Sequence, residues 1–356
     1  MKKKHFKDRP TEVSFGELRY EVTPELVTRL TWAHRTAGSI SAMRFSHYGG
    51  KRVETDAHRR RITYGVMRAG HKGVTLDDVN RLLAGDLLPP RKSAIETIGR
   101  KVAVLMEAAR QLGRGEDPSS PETFATYLDF LQQGTALWSR FVGLRKEKVL
   151  ESHQSTAKAS PQVLQLYKWI DDDPLVVQEP ILRAATLYWG LSLLHRYPHE
   201  RPAIDAVVHH ELKTGFIDSR GLLVLSDSEF GERAQQLGGI ITSKADYLGD
   251  LTQYYEHYAF ELARALGELR QRLNTFQDKE DRLPWLMARP PDELDRQIFD
   301  IIEKLGSARS QEILQELRDP PPLRTLQRRL QRLAKGGLIA KQGSRKFAYY
   351  RLAEHQ

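Results

Sequence analysis

The sequence contains no cysteine, and this absence excludes disulfide bridges, thiolate zinc sites and cysteine nucleophiles. Any metal site would have to be built from histidine and carboxylate ligands. The chain also lacks an apolar run near the ~18 residues that a bilayer-spanning helix needs, so no membrane partner is expected. Its basic start, "MKKKHFKDRP", is not followed by the apolar stretch of a secretory signal. These absences predict a cytoplasmic protein.

The positive charge of the chain is concentrated at one end. The 356 residues carry a formal net charge of +9, and residues 320–356, with a single acidic residue at Glu354, account for +8 of it. Scattered lysines only keep a protein in solution, whereas a localised basic surface attracts phosphate backbones. The C-terminal segment therefore predicts a nucleic-acid partner. A chain of this length also predicts two or three domains.

In residues 290–356, the positions of glycine, serine and proline predict three helices followed by a β-hairpin. Gly306 is placed to end the first helix, Ser310 to cap the second, and the triple proline 320–322 to separate the third. The strings "LIAKQ" and "FAYYRL" alternate as two short strands, with "GSRK" as the turn between them. This order resembles a winged helix-turn-helix domain, which implies a third helix that lies in the major groove of DNA.

The third of these helices is predicted to be amphipathic. Its predicted buried stripe consists of Leu323, Leu326, Leu330 and Leu333. The residues predicted to contact double-stranded DNA, on the opposite face and in the hairpin turn, are Arg324, Thr325, Arg328, Gln331, Arg332, Lys335, Arg345 and Lys346. Because such domains usually bind as dimers, a homodimer is expected. The alternative for the same domain is a protein-docking adaptor that does not bind DNA.

The long middle of the chain is predicted to be helical. Apolar residues recur at intervals of three and four in stretches such as "ILRAATLYWGLSLL", and strands and helices do not alternate. Proline, serine and charge mark candidate linkers at 113–122, 153–162 and 282–293. The predicted units are an N-terminal helical region over 1–115, a helical core over 116–285 and the winged-helix domain over 290–356.

Several stretches occur in an order that resembles the Fic family. They are "TLDDVNRLLAGDLLPP" (75–90), "GLRKEKVLES" (143–152), "PQVLQLYKWIDDDPLVVQEPILRAATLYWGLSLLH" (161–195), "LKTGFIDSRGLLVLSDSEF" and "YLGDLTQYYEHYAFELARAL". Members of that family commonly transfer AMP from ATP to protein hydroxyls, and they often end in a winged helix. The resemblance implies a mainly α fold in which 116–285 is a Fic-like helical core and 143–152 is a short β-hairpin flap that binds the substrate.

The active-site motif of active Fic proteins has the form HPFxxGNGRxxR, and here its place is taken by "LHRYPHERPAIDA". In the family the histidine takes a proton from the target hydroxyl, an acid holds magnesium, the glycines open backbone N–H groups to phosphate, and arginine neutralises it. If the pair Tyr188 and Trp189 sets the register, Leu194 stands at the base position and His195 lies one residue late.

The phosphate-binding part of the motif is missing as well. No glycine occurs between residues 190 and 215, and Pro198 and Pro202 remove backbone donors where an anion would need them. Only Arg201 matches one of the motif's two arginines, with Ile204 at the position of the second.

The segment "ITYGVMRAGHKG" (62–73) stands where the family has an inhibitory motif of the form [ST]xxxE[GN]. It offers Thr63 but has Met67 in place of the glutamate. In the family that glutamate pairs with the motif's second arginine, so both members of the pair are absent here. The N-terminal region is therefore interpreted as carrying a degenerate inhibitory segment.

These departures predict a DNA-binding transcriptional regulator built on a catalytically degenerate Fic-like scaffold. In this interpretation no residue is catalytic, no cofactor is bound, and the Fic-like core dimerises or senses a protein partner. The alternative is a protein adenylyltransferase with a divergent motif, in which His195 is the base, Arg201 neutralises phosphate, and ATP and Mg²⁺ are required.

A histidine-rich stretch, "HRYPHERPAIDAVVHH" (195–210), raises the question of a metal site. His195 and His199 are four residues apart, but the helix face that would bring them together is interrupted by Pro198. His209 and His210 are neighbours that point about 100° apart on a helix, so at most one could face a shared ion. No metal site is therefore predicted, and the histidines are interpreted as solvated or satisfied in the core.

Two charge runs remain. The string "DDD" at 171–173 could hold magnesium, but before Pro174 it is interpreted as a solvated turn. The string "HRRR" at 58–61 is interpreted as a solvated helix face, with a second nucleic-acid contact as the alternative.

Overall fold

The computed structural model describes residues 15, 18–45, 47–112, 118–143, 157–224, 245–246, 248–281, 293–317, 319–335, 338–343 and 348–352. This part of the chain is mainly helical, as the sequence predicts. Its helices are α1 (Pro24–Ser41), α2 (His47–Arg68), α3 (Leu76–Leu83), α4 (Ser93–Leu112), α5 (Pro121–Gly143), α6 (Pro161–Asp172), α7 (Pro174–Gln178), α8 (Pro180–Leu194), α9 (Arg201–Thr214), α10 (Thr252–Asp281), α11 (Glu293–Leu305), α12 (Ser310–Glu316) and α13 (Leu323–Lys335). Its strands are β1 (Ala308–Arg309), β2 (Ile339–Gln342) and β3 (Tyr349–Leu352). None of the described helices combines the length and apolar content needed to cross a membrane.

Prolines set the starts of many helices. A proline is the first residue of α1, α5, α6, α7 and α8. Proline suits this position because an N–H there would find no acceptor within the helix, and because its fixed φ is close to the helical value. The residues just before two of these prolines act as caps. Asp173 accepts the backbone N–H groups of Leu175 and Val176 at 3.0 and 2.9 Å, and Glu179 accepts that of Ile181 at 3.1 Å. The apolar run 161–194 is thus divided into three helices.

The larger of two apolar cores surrounds α8. This core extends from Phe15 to Leu273, and every residue of α8 from Ile181 to Leu191 except Tyr188 is buried. α8 packs along α9, α4 along α5, and α1 along α10, while α2 packs against α4 and α9. The connection between α8 and α9 is therefore held between well-packed helices.

The second core lies within residues 293–352. α11, α12 and α13 bury apolar side chains that include Ile298, Ile313 and Leu326, each at 0 % exposure. The strands form an antiparallel sheet in the order β1-β3-β2, with Ala308 opposite Tyr350 and Ile339 opposite Leu352. α11 ends at Leu305, immediately before the glycine at 306, whose φ is +69°. The helix end predicted at that glycine is confirmed.

Two details of this segment differ from the prediction. Ser310 is the first residue of α12 rather than its cap, because Arg309 holds the cap position and donates its backbone N–H to the Glu312 carboxylate at 2.7 Å. Leu323 is 37 % exposed and does not belong to the buried stripe. It is the first residue of α13, so its side chain has no preceding helical turn to pack over.

Some predicted elements lie outside the described residues. They are the flap at 143–152 beyond the helix end at residue 143, most of the linker over 282–293, and the hairpin turn that contains Arg345 and Lys346.

Candidate functional site

The α8–α9 corner (residues 195–200) occupies the place of the predicted active-site loop. His195 caps the C-terminal end of α8, and its backbone N–H donates to the Leu191 carbonyl at 2.8 Å. Its ring Nδ1 lies 3.5 Å from Glu200 Oε2, and the ring packs edge-on against Phe124 with centroids 4.9 Å apart. The imidazole therefore lies beside a carboxylate and an aromatic ring.

The start of α9 offers little to an anion. The backbone N–H of Arg201 already donates to the carbonyl of Pro198, and Pro202 has no N–H. The next two residues, Ala203 and Ile204, are both at 0 % exposure. A phosphate site at a helix N-terminus requires several free backbone donors that face the ligand. The first turn of α9 does not provide them.

The Arg201 side chain lies close to a second arginine. Its Nη1 donates to the Ser192 hydroxyl of α8 at 3.0 Å. Burial, and then the positive charge of Arg68, lower the pKa of Arg201. The arginine predicted to neutralise phosphate therefore has a helix hydroxyl as its partner and a like charge nearby.

Arg68, at the end of α2, makes the central contact of this cluster. Its Nη2 donates to the Tyr188 hydroxyl at 2.9 Å and to Asp205 Oδ1 on α9 at 3.4 Å. Its guanidinium lies over the rings of Tyr64 and Tyr188, 5.9 and 5.7 Å from their centroids. Although burial acts to lower it, Asp205 and the two tyrosine hydroxyls raise the pKa of Arg68. The arginine is therefore held in its charged form.

This ion pair is not predicted from the sequence, although both of its residues lie next to positions of the two motifs. Arg68 follows Met67 in the segment interpreted as inhibitory, and Asp205 follows Ile204, the position of the motif's second arginine. α2 packs against α9, with Gly65 close to Pro202. The ion pair therefore joins the helix that carries 62–68 to the helix that carries Arg201 and Ile204, with the arginine on α2 and the acid on α9.

The other histidines of 195–210 have separate environments. His199 is exposed and stacks on Tyr197 with ring centroids 5.6 Å apart, and His210 is buried with its Nδ1 3.0 Å from the Tyr127 hydroxyl. Burial, and then Arg61, lower the pKa of His209 well below its usual value. His199 thus agrees with the interpretation of a solvated histidine, and His210 with that of one satisfied in the core. His209 does not, because its Nδ1 is buried without a hydrogen-bond partner among the described residues.

No group of three or more His, Asp or Glu side chains in the described ranges is arranged to hold a metal ion. Two of the three carboxylates of 171–173 have protein partners: Asp173 accepts from the Tyr20 hydroxyl at 2.8 Å in addition to capping α7, and Asp171 pairs with Arg183 at 3.0 Å. Asp171 and Asp172 are exposed, as predicted, but they are the last residues of helix α6 and not part of a turn.

The basic run at 58–61 is not the solvated face that the sequence suggests. Arg61 is only 15 % exposed and pairs with Asp218 at 2.9 Å, and its Nε donates to the Leu223 carbonyl at 2.9 Å. Arg60 pairs with Asp56 at 2.8 Å one turn away. The prediction of a solvated face is therefore wrong for Arg61, because α2 packs against a segment that supplies a buried acid.

The outer face of α13 is cationic. Leu326, Leu330 and Leu333 are buried beneath it, and the helix contains no acidic residue. The predicted DNA contacts that are exposed on it, and for which no internal ion pair is seen in the described part of the chain, are Arg324, Thr325, Arg328, Gln331 and Lys335.

Two further arginines of α13 have an internal partner. Arg332 donates to Asp295 Oδ2 at 2.9 Å and Arg329 to Asp295 Oδ1 at 3.1 Å, and this acid of α11 is 3 % exposed. Arg332 was predicted to contact DNA, but in the structure it also joins α13 to α11.

Comparison with known proteins finds a likeness in structure and none in sequence. No protein-family model matches the sequence, and no curated protein is similar to it in sequence. Among solved structures, the chain is similar to the crystal structure of a Fic family protein from Desulfovibrio desulfuricans G20, with 15 % sequence identity and a TM-score of 0.50 over 95 % of this chain and 99 % of that one. At this identity the likeness shows the fold alone, and it confirms the Fic-like fold predicted from the order of segments.

Proposed function

Starting from a Fic-like fold, we propose that this protein is a DNA-binding transcriptional regulator whose Fic-like body has lost nucleotide chemistry. The observation that carries the proposal is the outer face of α13. Three exposed cations, Arg324, Arg328 and Lys335, share this face with Thr325 and Gln331. Arginine and glutamine are side chains that read base edges, and lysine neutralises phosphates.

The surroundings of α13 support the same reading. The order helix, strand, helix, helix, strand, strand, with the sheet order β1-β3-β2, is the order expected of a winged helix. In such a domain the third helix enters the major groove, and we propose that role for α13. The proposed domain covers 290–356, and the proposed partner is double-stranded DNA.

The first turn of α9 is the basis for proposing that nucleotide chemistry has been lost. An anion at this position would find no N–H on Pro202, and the N–H of Arg201 already donates to the Pro198 carbonyl. Ala203 and Ile204, the next residues of the helix, are fully buried. The Arg68–Asp205 pair holds α2 against this end of α9. The Nδ1 of His195 lies 3.5 Å from a carboxylate oxygen of Glu200, and this contact is the observation that favours the alternative of an adenylyltransferase.

The test of DNA binding uses the full chain and a fragment of its own upstream DNA, titrated over a series of salt concentrations. Each phosphate contact contributes about −0.9 to the slope of log K against log salt concentration. We expect a steep slope in the wild type, and a slope reduced by ~1–2 in the double variant Arg324→Ala/Arg328→Ala. The control is Lys168→Ala on α6, an exposed cation that lies outside residues 293–352 and outside the basic run at 58–61.

The proposal of a DNA-binding regulator would be overturned by a wild-type affinity that changes little with salt, or by a double variant that binds like the wild type. A folded protein that binds no DNA would favour the protein-docking adaptor for the same domain.

Arg332→Ala provides an internal comparison. It should weaken DNA binding partly by loosening α13 from Asp295, and this loosening is visible as faster amide hydrogen exchange in α13, which Arg328→Ala should not cause.

Incubation with labelled ATP and Mg²⁺ tests the alternative directly. The proposal expects no label on the protein itself or on added protein acceptors. Transfer of label that disappears in His195→Ala, and persists in His199→Ala, would establish adenylyl transfer. The latter is a matched control because His199 is an exposed residue of the same corner.

A further inference from the structure

The two apolar cores of the protein are separate. The larger one extends from Phe15 to Leu273, the smaller one lies within residues 293–352, and they share no residue. We call residues 293–352 the C-terminal unit. Among the described elements, the helices and strands of this unit pack extensively only on one another. Two units without a large apolar interface are expected to move relative to each other unless a specific contact holds them.

A polar contact joins the C-terminal unit to α2. The Thr55 hydroxyl donates a hydrogen bond to the Glu303 carboxylate near the end of α11, and Arg59 and Arg52 act on the same carboxylate through their charges. Burial raises the pKa of Glu303, although these three groups of α2 act to lower it. The carboxylate is therefore partly withdrawn from water against α2.

The two sides of this contact carry complementary charge. On α2, Arg52, Thr55 and Arg59 are separated by three and four residues, so they share one face of the helix. On α11, Asp300 lies one turn before Glu303, and its negative charge acts on Glu303 as well. Two cations of α2 and two acids of α11 thus meet around Glu303.

The α2 side of the contact is held in place by the larger core. The Arg52 guanidinium lies over the Phe276 ring of α10, 6.0 Å from its centroid. Arg52, Thr55, Arg59 and Glu303 are all half-buried. The arginine therefore keeps its position on the Fic-like body while α11 contacts it from the other unit.

We infer that Arg52, Thr55 and Arg59 of α2 form a salt-sensitive latch, which closes on Asp300 and Glu303 of α11 and holds the C-terminal unit in one orientation on the Fic-like body. Half-buried charges are screened by salt, since the Debye length falls from ~10 Å at 0.1 M to ~3 Å at 1 M ionic strength. The latch is closed at low ionic strength and opens as the ionic strength rises.

The closed latch leaves the outer face of α13 uncovered. Arg324, Arg328 and Lys335 are exposed while Glu303 contacts α2. The latch therefore sets the direction in which this face points and does not mask it. The inference goes beyond DNA binding and does not rest on it. Because it is tested without DNA, failure of DNA binding and failure of the latch are separate results.

The test measures the distance between the two units in the full chain. Because the chain has no cysteine, spin labels can be attached at Thr97→Cys on α4 and Ser307→Cys after α11, which are both exposed and lie outside the latch. Pulsed electron–electron resonance gives the distribution of distances between the labels. We expect one narrow distribution at 0.1 M ionic strength and a broad one at 1 M.

Charge reversal tests the acid of the latch. Glu303→Arg should raise the open fraction at 0.1 M ionic strength at least ~5-fold, because it replaces an attraction by a repulsion between like charges. Glu293→Arg is the matched control, since it reverses an acid of the same helix whose side chain is 74 % exposed. It should leave the distribution narrow.

A charge exchange tests the pairing of α11 with α2. Adding Arg59→Glu to Glu303→Arg should restore the narrow distribution. Adding Arg60→Glu should not, because Arg60 is the next residue of α2 but pairs with Asp56 on its own helix. Equal restoration by both changes would refute the assigned pairing.

Thr55→Val gives a milder variant, which removes only the hydroxyl that donates to Glu303. It should raise the open fraction ~2–10-fold, and it replaces Glu303→Arg if circular dichroism shows that the latter loses helices. A broad distribution in the wild type at 0.1 M ionic strength would overturn the inference. A narrow distribution that persists at 1 M, or that neither Glu303→Arg nor Thr55→Val changes, would overturn it equally.

Discussion

Replacement of Arg183 by methionine should destabilise the Fic-like body by several kcal/mol. Arg183 of α8 is 5 % exposed. Its Nε donates to Glu211 of α9 at 3.1 Å, its Nη1 to Asp171 at 3.0 Å, and its Nη2 to the Ser119 carbonyl at 3.3 Å. Glu211 is 1 % exposed and also accepts the Ser119 N–H at 2.7 Å and the Ser119 hydroxyl. Methionine keeps much of the volume but makes none of these bonds.

The magnitude follows mainly from the pair with Glu211. The bond to Asp171 contributes little, ~0–1 kcal/mol, because that carboxylate is 60 % exposed. Removal of one partner from a buried ion pair costs ~3–5 kcal/mol, since the remaining charge stays buried. We therefore expect a loss of ~3–5 kcal/mol in the free energy of unfolding. This is a large part of the ~5–15 kcal/mol typical of a folded domain.

Urea unfolding followed by tryptophan fluorescence measures this loss. Four of the five tryptophans lie in helices of the Fic-like part of the chain, namely Trp32, Trp138, Trp169 and Trp189, and residues 293–352 contain none. The fluorescence therefore follows the unfolding of the part that contains Arg183. Arg60→Met is the matched control, because its pair with Asp56 is exposed and should contribute ~0–1 kcal/mol. In the double variant Arg183→Met/Glu211→Met both charges are gone, so its cost should fall ~1–3 kcal/mol short of the sum of the single costs.

An Arg183→Met variant as stable as Arg60→Met would refute the reasoning, since the network would then contribute no more than a surface pair. Strict additivity in the double variant would refute it equally, because it would mean that the two side chains do not depend on each other.

Two further predictions concern packing and pH. Gly190→Ala should destabilise the body by ~1–3 kcal/mol, because its Cβ would lie 2.6 Å from Leu166, whereas Gly267→Ala, with nothing within 4 Å, should stabilise it by ~0.5–1 kcal/mol; urea midpoints compare the two. His209 has a lowered pKa in the folded state through burial and Arg61, so below the unfolded pKa of about 6.5 only the unfolded chain takes up the proton. Stability should therefore fall as pH drops through that range more in the wild type than in His209→Leu, and parallel pH profiles would contradict this.

The sequence was sufficient for features with a local physical cause. The end of a helix at Gly306 follows from the backbone freedom of glycine, and the burial of Leu326, Leu330 and Leu333 follows from their helical spacing. Both predictions are confirmed. The Fic-like fold could be predicted from the order of segments, although the identity to the similar structure is only 15 %. The prediction that Ser310 caps α12 was wrong. The helix begins at Ser310 itself, so the cap position falls on Arg309.

Contacts between distant segments could not be predicted. Arg68 and Asp205 are 137 positions apart, and neither lies in a pattern that marks it as one of a pair. The same applies to Arg332, which a periodicity argument places on the exposed face without showing that Asp295 reaches it from α11. Such pairs depend on how helices pack, and a single sequence carries that information only as the sum of many weak preferences.

The Arg68–Asp205 pair also constrains how the sequence can change over generations. The two side chains are 14 % and 4 % exposed, so loss of either alone leaves the other charge nearly buried. That intermediate costs ~3–5 kcal/mol. A substitution at either position is therefore expected to be tolerated mainly when the other position changes with it. Arg68 and Asp205 should accordingly vary together among relatives of this chain, and positions 68 and 205 should be read as one unit when such sequences are aligned.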